Sequence, residues 1–181
     1  AKTMIGISLK EQRIQTKPEA KFFAVKGPVF PFNKFPDSDP ILGPEMKSTG
    51  EVMGTGNSFG EAYIKSQHAA GIKIPQAGNI FISVREPDKT NILLNLARLL
   101  IKKGFSIVST EGTSKFLNSH NIKSSYINKV HQGQPHIVDL IRNGEIDLII
   151  NTTEGKQSIE ESFSIRAEAV IRNVTYYTSL E

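Results

Sequence analysis

The residues with chemistry to offer stand where apolar runs give way to small polar side chains. Phe105-Ser106-Ile107-Val108-Ser109-Thr110-Glu111-Gly112-Thr113-Ser114 is the clearest case, a β-branched run breaking into hydroxyl residues and a glycine. The run predicts a strand buried on both faces. The turn after it offers hydroxyls and backbone N–H groups at a helix start, where anions are favoured. The plainer reading of the same turn is a strand-to-helix connection with Thr113 as N-cap. Two further runs end alike, in Ile127-Asn128-Lys129 and in Ile149-Ile150-Asn151-Thr152-Thr153. Three polar strand ends point to one shared site for an anion.

Other candidates carry less. Lys89 opens a helical pattern, where a cation opposes the helix dipole unless an anion sits beside it. His131 and His136 have no cysteine or carboxylate cluster beside them, so His136 is expected to cap or pack rather than bind metal. Asp37 and Asp39 are bracketed by Pro36 and Pro40 and read as turn formers. No metal site and no catalytic group is expected.

Composition narrows the classes. The 181 residues suffice for one ordinary domain plus an attached segment, and the absence of cysteine excludes disulfides, thiol catalysis and iron–sulfur ligation. A net charge of +4 fits attraction for anions, but the basic residues are spread along the chain without an aromatic-interleaved stripe, so no nucleic-acid partner is expected. No apolar run approaches ~18 residues, and the N-terminus lacks a signal-peptide layout, so no membrane partner and a cytoplasmic location are expected.

The elements that must position these residues alternate. Residues 79–84, 105–110, 125–128, 147–151 and 174–177 predict strands, and 89–103, 113–120, 136–143 and 158–173 predict helices between them. Such alternation implies parallel strands covered on both faces, with every strand C-terminus on one edge. The fold expected is a three-layer α/β/α domain with a five-stranded parallel sheet. Ser58 and Glu61 form a capping box for a helix running toward Gly71, which puts the domain start at 58 and an irregular arm at 1–57. Within the arm, 1–16 reads as the end of a helix from something larger. Residues 21–26 and 29–32 read as strand pieces limited by Pro28 and Pro31, and 33–54 as a loop with little regular structure. The arm's apolar residues lack the spacing to build a core, so it is expected to pack on a host.

Asn33-Lys34-Phe35-Pro36 with the stretch from Leu42-Gly43-Pro44-Glu45 to Val52-Met53-Gly54 resembles the end of the second ATP-grasp half of carbamoyl-phosphate synthase large chains. Ile82-Ser83-Val84, Asp88-Lys89, Thr110-Glu111-Gly112-Thr113, Gln134-Pro135-His136-Ile137, Asn143-Gly144-Glu145-Ile146-Asp147 and Ile150-Asn151-Thr152-Thr153 resemble that family's C-terminal regulatory domain, of the methylglyoxal-synthase-like fold. The resemblance implies an allosteric nucleotide site for UMP or IMP, formed by Lys89, Thr110, Thr113, Lys129, Asn151, Thr152 and Thr153. It also implies ATP with Mg or Mn in synthase domains outside these residues, and the rest of the large chain and a glutaminase small subunit as partners. Some members respond to ornithine at a junction that uses a carboxylate after a Val-Lys pair and a Tyr-x-Thr in the last strand. Tyr176 and Thr178 match, whereas Gly27 stands at the carboxylate position. A stand-alone enzyme related to methylglyoxal synthase or IMP cyclohydrolase is the alternative, weakened because Gln134 stands where a carboxylate base is needed. An interaction module docking through its proline-rich arm is compatible with the regulatory reading.

Overall fold

The computed structural model describes residues 1–14, 21–31, 46–153 and 162–180. Its elements are β1 (Phe23–Val29), β2 (Gly50–Gly56), α1 (Phe59–Ala69), β3 (Gly78–Ser83), α2 (Asn91–Lys102), β4 (Phe105–Ser109), α3 (Glu111–Ser119), β5 (Ser125–Tyr126), α4 (Ile137–Arg142), β6 (Leu148–Asn151), α5 (Phe163–Ile171) and β7 (Thr175–Tyr177).

Strands β3 to β7 form one sheet in the order β5-β4-β3-β6-β7, and every pairing is parallel. Alternating side chains divide its core. Ile80, Ile82, Leu148 and Ile150 pack with Leu93, Leu94, Ala97 and Leu117 of α2 and α3. Phe81 and Ile149 face the other way and pack with Ile137, Val138, Ile141, Ile165 and Ala169 of α4 and α5. Each fully buried side chain of this kind contributes about 1.5–3 kcal/mol. The expected three-layer α/β/α fold with a five-stranded parallel sheet is what forms. Within the second layer Glu168 receives hydrogen bonds from Arg142 (3.0 Å) and Arg172 (3.1 Å), tying α4 to α5.

Chain order explains where a ligand belongs. From β3 the chain steps outward through β4 to β5, then returns to the far side of β3 as β6 and β7. The crossovers therefore diverge at the C-terminal ends of β3, β4 and β6. In an open α/β sheet that divergence leaves a crevice.

The N-terminal part differs from its expectation in two places. Lys2–Ile5 is a 3-10 turn rather than the end of an α-helix, and Met4, Ile5 and Leu9 are exposed. Residues 50–54, expected in a loop, belong to strand β2, antiparallel to β1 with Val25 opposite Gly54 and Gly27 opposite Val52. The reason is in the glycines. A Cβ on Gly54 would lie 2.1 Å from the Ala62 carbonyl oxygen, and one on Gly56 would lie 2.8 Å from the Ala62 nitrogen, so α1 rests on strand backbone. A strand selected for lacking side chains has no apolar alternation to read. The loop expected at 33–45 lies outside the described residues.

The Ser58 cap forms, with the Glu61 N–H donating to Ser58 Oγ at 3.2 Å, while the Glu61 carboxylate reaches the Asn57 N–H at 2.8 Å. Helix α1, the first element after residue 57, packs on the β1–β2 hairpin. The link to the sheet is residues 70–77, held at β7 by the Thr175 hydroxyl, which donates to the Lys73 carbonyl.

Gly54→Ala should lift α1 from the hairpin at a cost of about 1–3 kcal/mol. Amide hydrogen exchange should then accelerate in residues 59–69 and leave β3 to β7 protected. Equal loss of protection in the sheet would mean that the two parts fold as one unit.

Candidate functional site

At the crevice the backbone of β3 leaves the sheet, and its polar groups find partners on both sides. The Val84 N–H donates to Thr113 Oγ1 at 3.1 Å, toward α3. The Arg85 N–H donates to Thr152 Oγ1 at 3.1 Å, toward β6, and the Thr152 N–H donates back to the Ser83 carbonyl at 3.0 Å. Ser83 Oγ and Thr110 Oγ1 share a hydrogen bond of 3.0 Å. Unsatisfied groups in this buried position would each cost about 1–3 kcal/mol.

Those bonds sort the expected ligand residues. Thr110, not Thr113, is the N-cap of α3, and its hydroxyl points across to Ser83 instead of capping the helix. Thr113 stands inside α3 and is only 1% exposed, so its hydroxyl is a clamp on β3. Thr152 is a clamp as well. Besides accepting from Arg85, it donates to Asp88, whose carboxyl lies below the usual carboxylate range chiefly through the Arg85 guanidinium and then through Thr152. The Arg85–Asp88 pair is two-pronged, Nε to Oδ2 at 2.7 Å and Nη2 to Oδ1 at 3.2 Å.

Asn151 is buried, and its amide donates to Ser162 Oγ (3.1 Å) and to the Tyr176 phenol oxygen (3.0 Å). Burial pushes the Tyr176 phenol above its ordinary range, with the Asn151 bond and the Arg166 charge opposing that shift. Lys129 caps the short turn Val130–Gln132, where its backbone N–H donates to Gln132 Oε1 at 2.9 Å while its side chain lines the crevice. Lys89 lies just before Thr90, the N-cap of α2. Its side chain is 11% exposed and forms an ion pair with Glu86. The ammonium is held over the first turn of α3, 3.0 Å from where a Cβ on Gly112 would stand. The nearby anion that a lysine in this place requires is thus a carboxylate of the chain itself.

Thr110, Lys129, Asn151 and Thr152 come together in a cavity of about 110 Å³, with Ser83, Arg85 and His131 on its polar side and Phe81, Val130, Ile137 and Ile165 on its apolar side. Thr153 and Thr178 line a second cavity of about 440 Å³ across the wall made by Arg85 and Thr152. Lys89 and Thr113 line neither. Among the described residues no group of three or more His, Asp or Glu side chains is placed to hold a metal ion. His136 is the N-cap of α4, as expected of it. The ornithine-type residues are not gathered into one cavity. Gly27 lies beneath α1 with Ser66 3.5 Å from its Cβ position, Tyr176 is bonded to Asn151, and Thr178 faces the larger cavity.

The strand-end reasoning passes over Ser83 and Arg85, which make a fourth polar strand end, and over Asp88. The signal was present: an Arg and an Asp three residues apart in a turn are spaced to pair. Asp88→Asn should break the Arg85–Asp88 pair and weaken the grip on Thr152, costing up to about 1 kcal/mol because the pair is partly exposed. The folded carboxyl is depressed, so its stabilisation is complete above the unfolded value near pH 4 and fades as pH falls through the folded one. Denaturation at pH 7 and at pH 3 should therefore show a wild-type advantage over Asp88→Asn at the first pH that shrinks at the second.

Residues 92–178 match the family model of the MGS-like domain. The chain is 50% identical over 180 residues, 99% of its length, to a protein of Xanthomonas campestris pv. campestris named carbamoyl phosphate synthase large chain, of which it covers 17%. It is 49% identical over 180 residues, again 99% of its length and 17% of the relative, to the protein of the same name in Xanthomonas axonopodis pv. citri. To that of Myxococcus xanthus it is 51% identical over 178 residues, 98% of this chain and 16% of the relative. The chain thus spans about a sixth of the length of the curated relatives it matches.

Proposed function

Since this chain carries an MGS-like domain and belongs with the C-terminal part of carbamoyl phosphate synthase large chains, we propose that it is the nucleotide-responsive regulatory region of such a synthase. The whole protein would make carbamoyl phosphate from glutamine or ammonia, bicarbonate and ATP, for arginine and pyrimidine synthesis in the cytoplasm. Its ATP and metal sites would lie in the preceding synthase domains, and a glutaminase small subunit would be a partner. Residues 1–57, with the β1–β2 hairpin, would be the closing segment of the second ATP-grasp half.

The observation that carries the reading is the crevice itself. Thr110, Lys129, Asn151 and Thr152 converge on one cavity, and the Lys89 ammonium stands over the first turn of α3. We assign a nucleoside monophosphate, UMP or IMP, to this place. Its phosphate lies toward Lys89, Lys129 and the amides of α3, and its base lies over Val130, Ile137 and Ile165. Thr113 and Thr152 contribute by fixing the backbone around the ligand, whereas Thr153 lines the neighbouring cavity across the Arg85–Thr152 wall. Among the described residues lining the cavity none is a carboxylate able to take a proton, so these residues lend the enzymatic alternative no support. In the full synthase the site would be coupled to ATP use by about 1–3 kcal/mol, reciprocally in binding.

Titration calorimetry with UMP, IMP, inorganic phosphate and uridine tests the assignment. Charge-assisted bonds to a phosphate dianion are about twice as strong as neutral ones, so uridine should bind far more weakly than UMP. Lys129→Ala should lose about 1–3 kcal/mol toward each phosphate-bearing ligand. Unchanged binding in Lys129→Ala, or uridine binding as tightly as UMP, would place the site elsewhere.

A further inference from the structure

We infer that Asn128 is a positioning residue for the nucleotide, its amide tying together the ends of the loop that presents Lys129, Val130 and His131 to the crevice; the inference rests on the nucleotide reading above. Asn128 is not among the described residues that line the cavity, whereas the three residues after it are. Its side chain closes the loop at the neck instead. Nδ2 donates to the Gly133 carbonyl at 3.3 Å, Oδ1 accepts from the Tyr126 hydroxyl at 2.5 Å, and the Asn128 carbonyl accepts from the Ile137 N–H at 3.3 Å. A carbonyl can only accept, so the Gly133 bond fixes which end of the amide faces the loop, and the phenol, which can donate, suits the other end.

Inside the neck the turn fastens itself. The Lys129 N–H donates to Gln132 Oε1 at 2.9 Å, and the Gln132 N–H donates to the Lys129 carbonyl at 3.0 Å. Gly133 then reverses the chain at a φ of 101°, and the return leads to His136, which bridges to Asn128. A lysine that captures a phosphate from a loose loop must order backbone as well as side chain. A loop already closed leaves only the side chain to order, so affinity is gained before the ligand touches anything. Lys129 carries the fixed positive charge of this loop. The worth of Asn128 to binding should therefore vanish when Lys129 has no charge to present.

The test is a double-mutant cycle read by calorimetry, with UMP titrated into wild type, Asn128→Ala, Lys129→Ala and the double variant. Asn128→Ala should weaken UMP about three- to tenfold in the wild-type background and by less than about twofold in the Lys129→Ala background. No loss in Asn128→Ala, or an equal loss with and without Lys129, would overturn the inference, the second result meaning that Asn128 serves only the fold. Tyr126→Phe removes one partner of the amide and leaves the Gly133 bond in place, which keeps the question answerable if Asn128→Ala does not fold. A weakening in Tyr126→Phe that disappears with Lys129 supports the inference, and an unchanged affinity there overturns it. Failure of UMP to bind wild type, or full affinity in Lys129→Ala, would instead remove the nucleotide reading and this inference with it.

Discussion

Everything at the crevice depends on how the last residues of the central strand satisfy their backbone. Beyond the last ladder pairs, Ile82 with Ser109 and Ser83 with Asn151, the chain leaves the sheet and the backbone groups of residues 83–85 must find other partners. Thr113 from one side and Thr152 from the other supply them. The hydroxyls that hold the sheet open are therefore on the same short segments as the groups that face the cavity. The requirement to satisfy backbone and the opportunity to bind an anion are met by one set of residues.

This dual use explains what could be read from the residues alone and what could not. The five parallel strands were legible because each is a short apolar run between helical patterns, and the shared edge followed from their alternation. That Thr110, Lys129, Asn151 and Thr152 meet was legible in the repeated polar strand end. Which threonine clamps and which faces the cavity was not, since a hydroxyl that accepts from a strand N–H and one turned to solvent have the same letter and the same spacing. Strand β2 escaped for the opposite reason. Its informative residues are glycines, whose message is what must be absent rather than what is buried.

The packing also links the crevice to the N-terminal hairpin. Tyr176 receives a hydrogen bond from Asn151 in the crevice, and its neighbour Thr175 holds the carbonyl of Lys73, in the link that follows α1. Two adjacent residues of β7 thus touch the cavity wall and the segment leading back to the hairpin. Contiguity of this kind does not by itself carry coupling, which requires a part with two arrangements. It does identify the last strand as the part on which both ends act.

The lengths of the strands have a consequence for how the chain behaves in concentrated solution. The outer strands of the parallel sheet are two and three residues long, too short to template an added strand, so the sheet's edges are protected by brevity. The hairpin is the reverse. Its two strands run for seven residues each and, among the described residues, pair only with each other, with Phe23 and Met53 exposed. Self-association of the separated chain would start from that ribbon, by strand addition along a free edge. Solubility would then be governed by the hairpin rather than by the sheet that carries the crevice, and a charged substitution on the ribbon's outer face would improve it without touching the sheet.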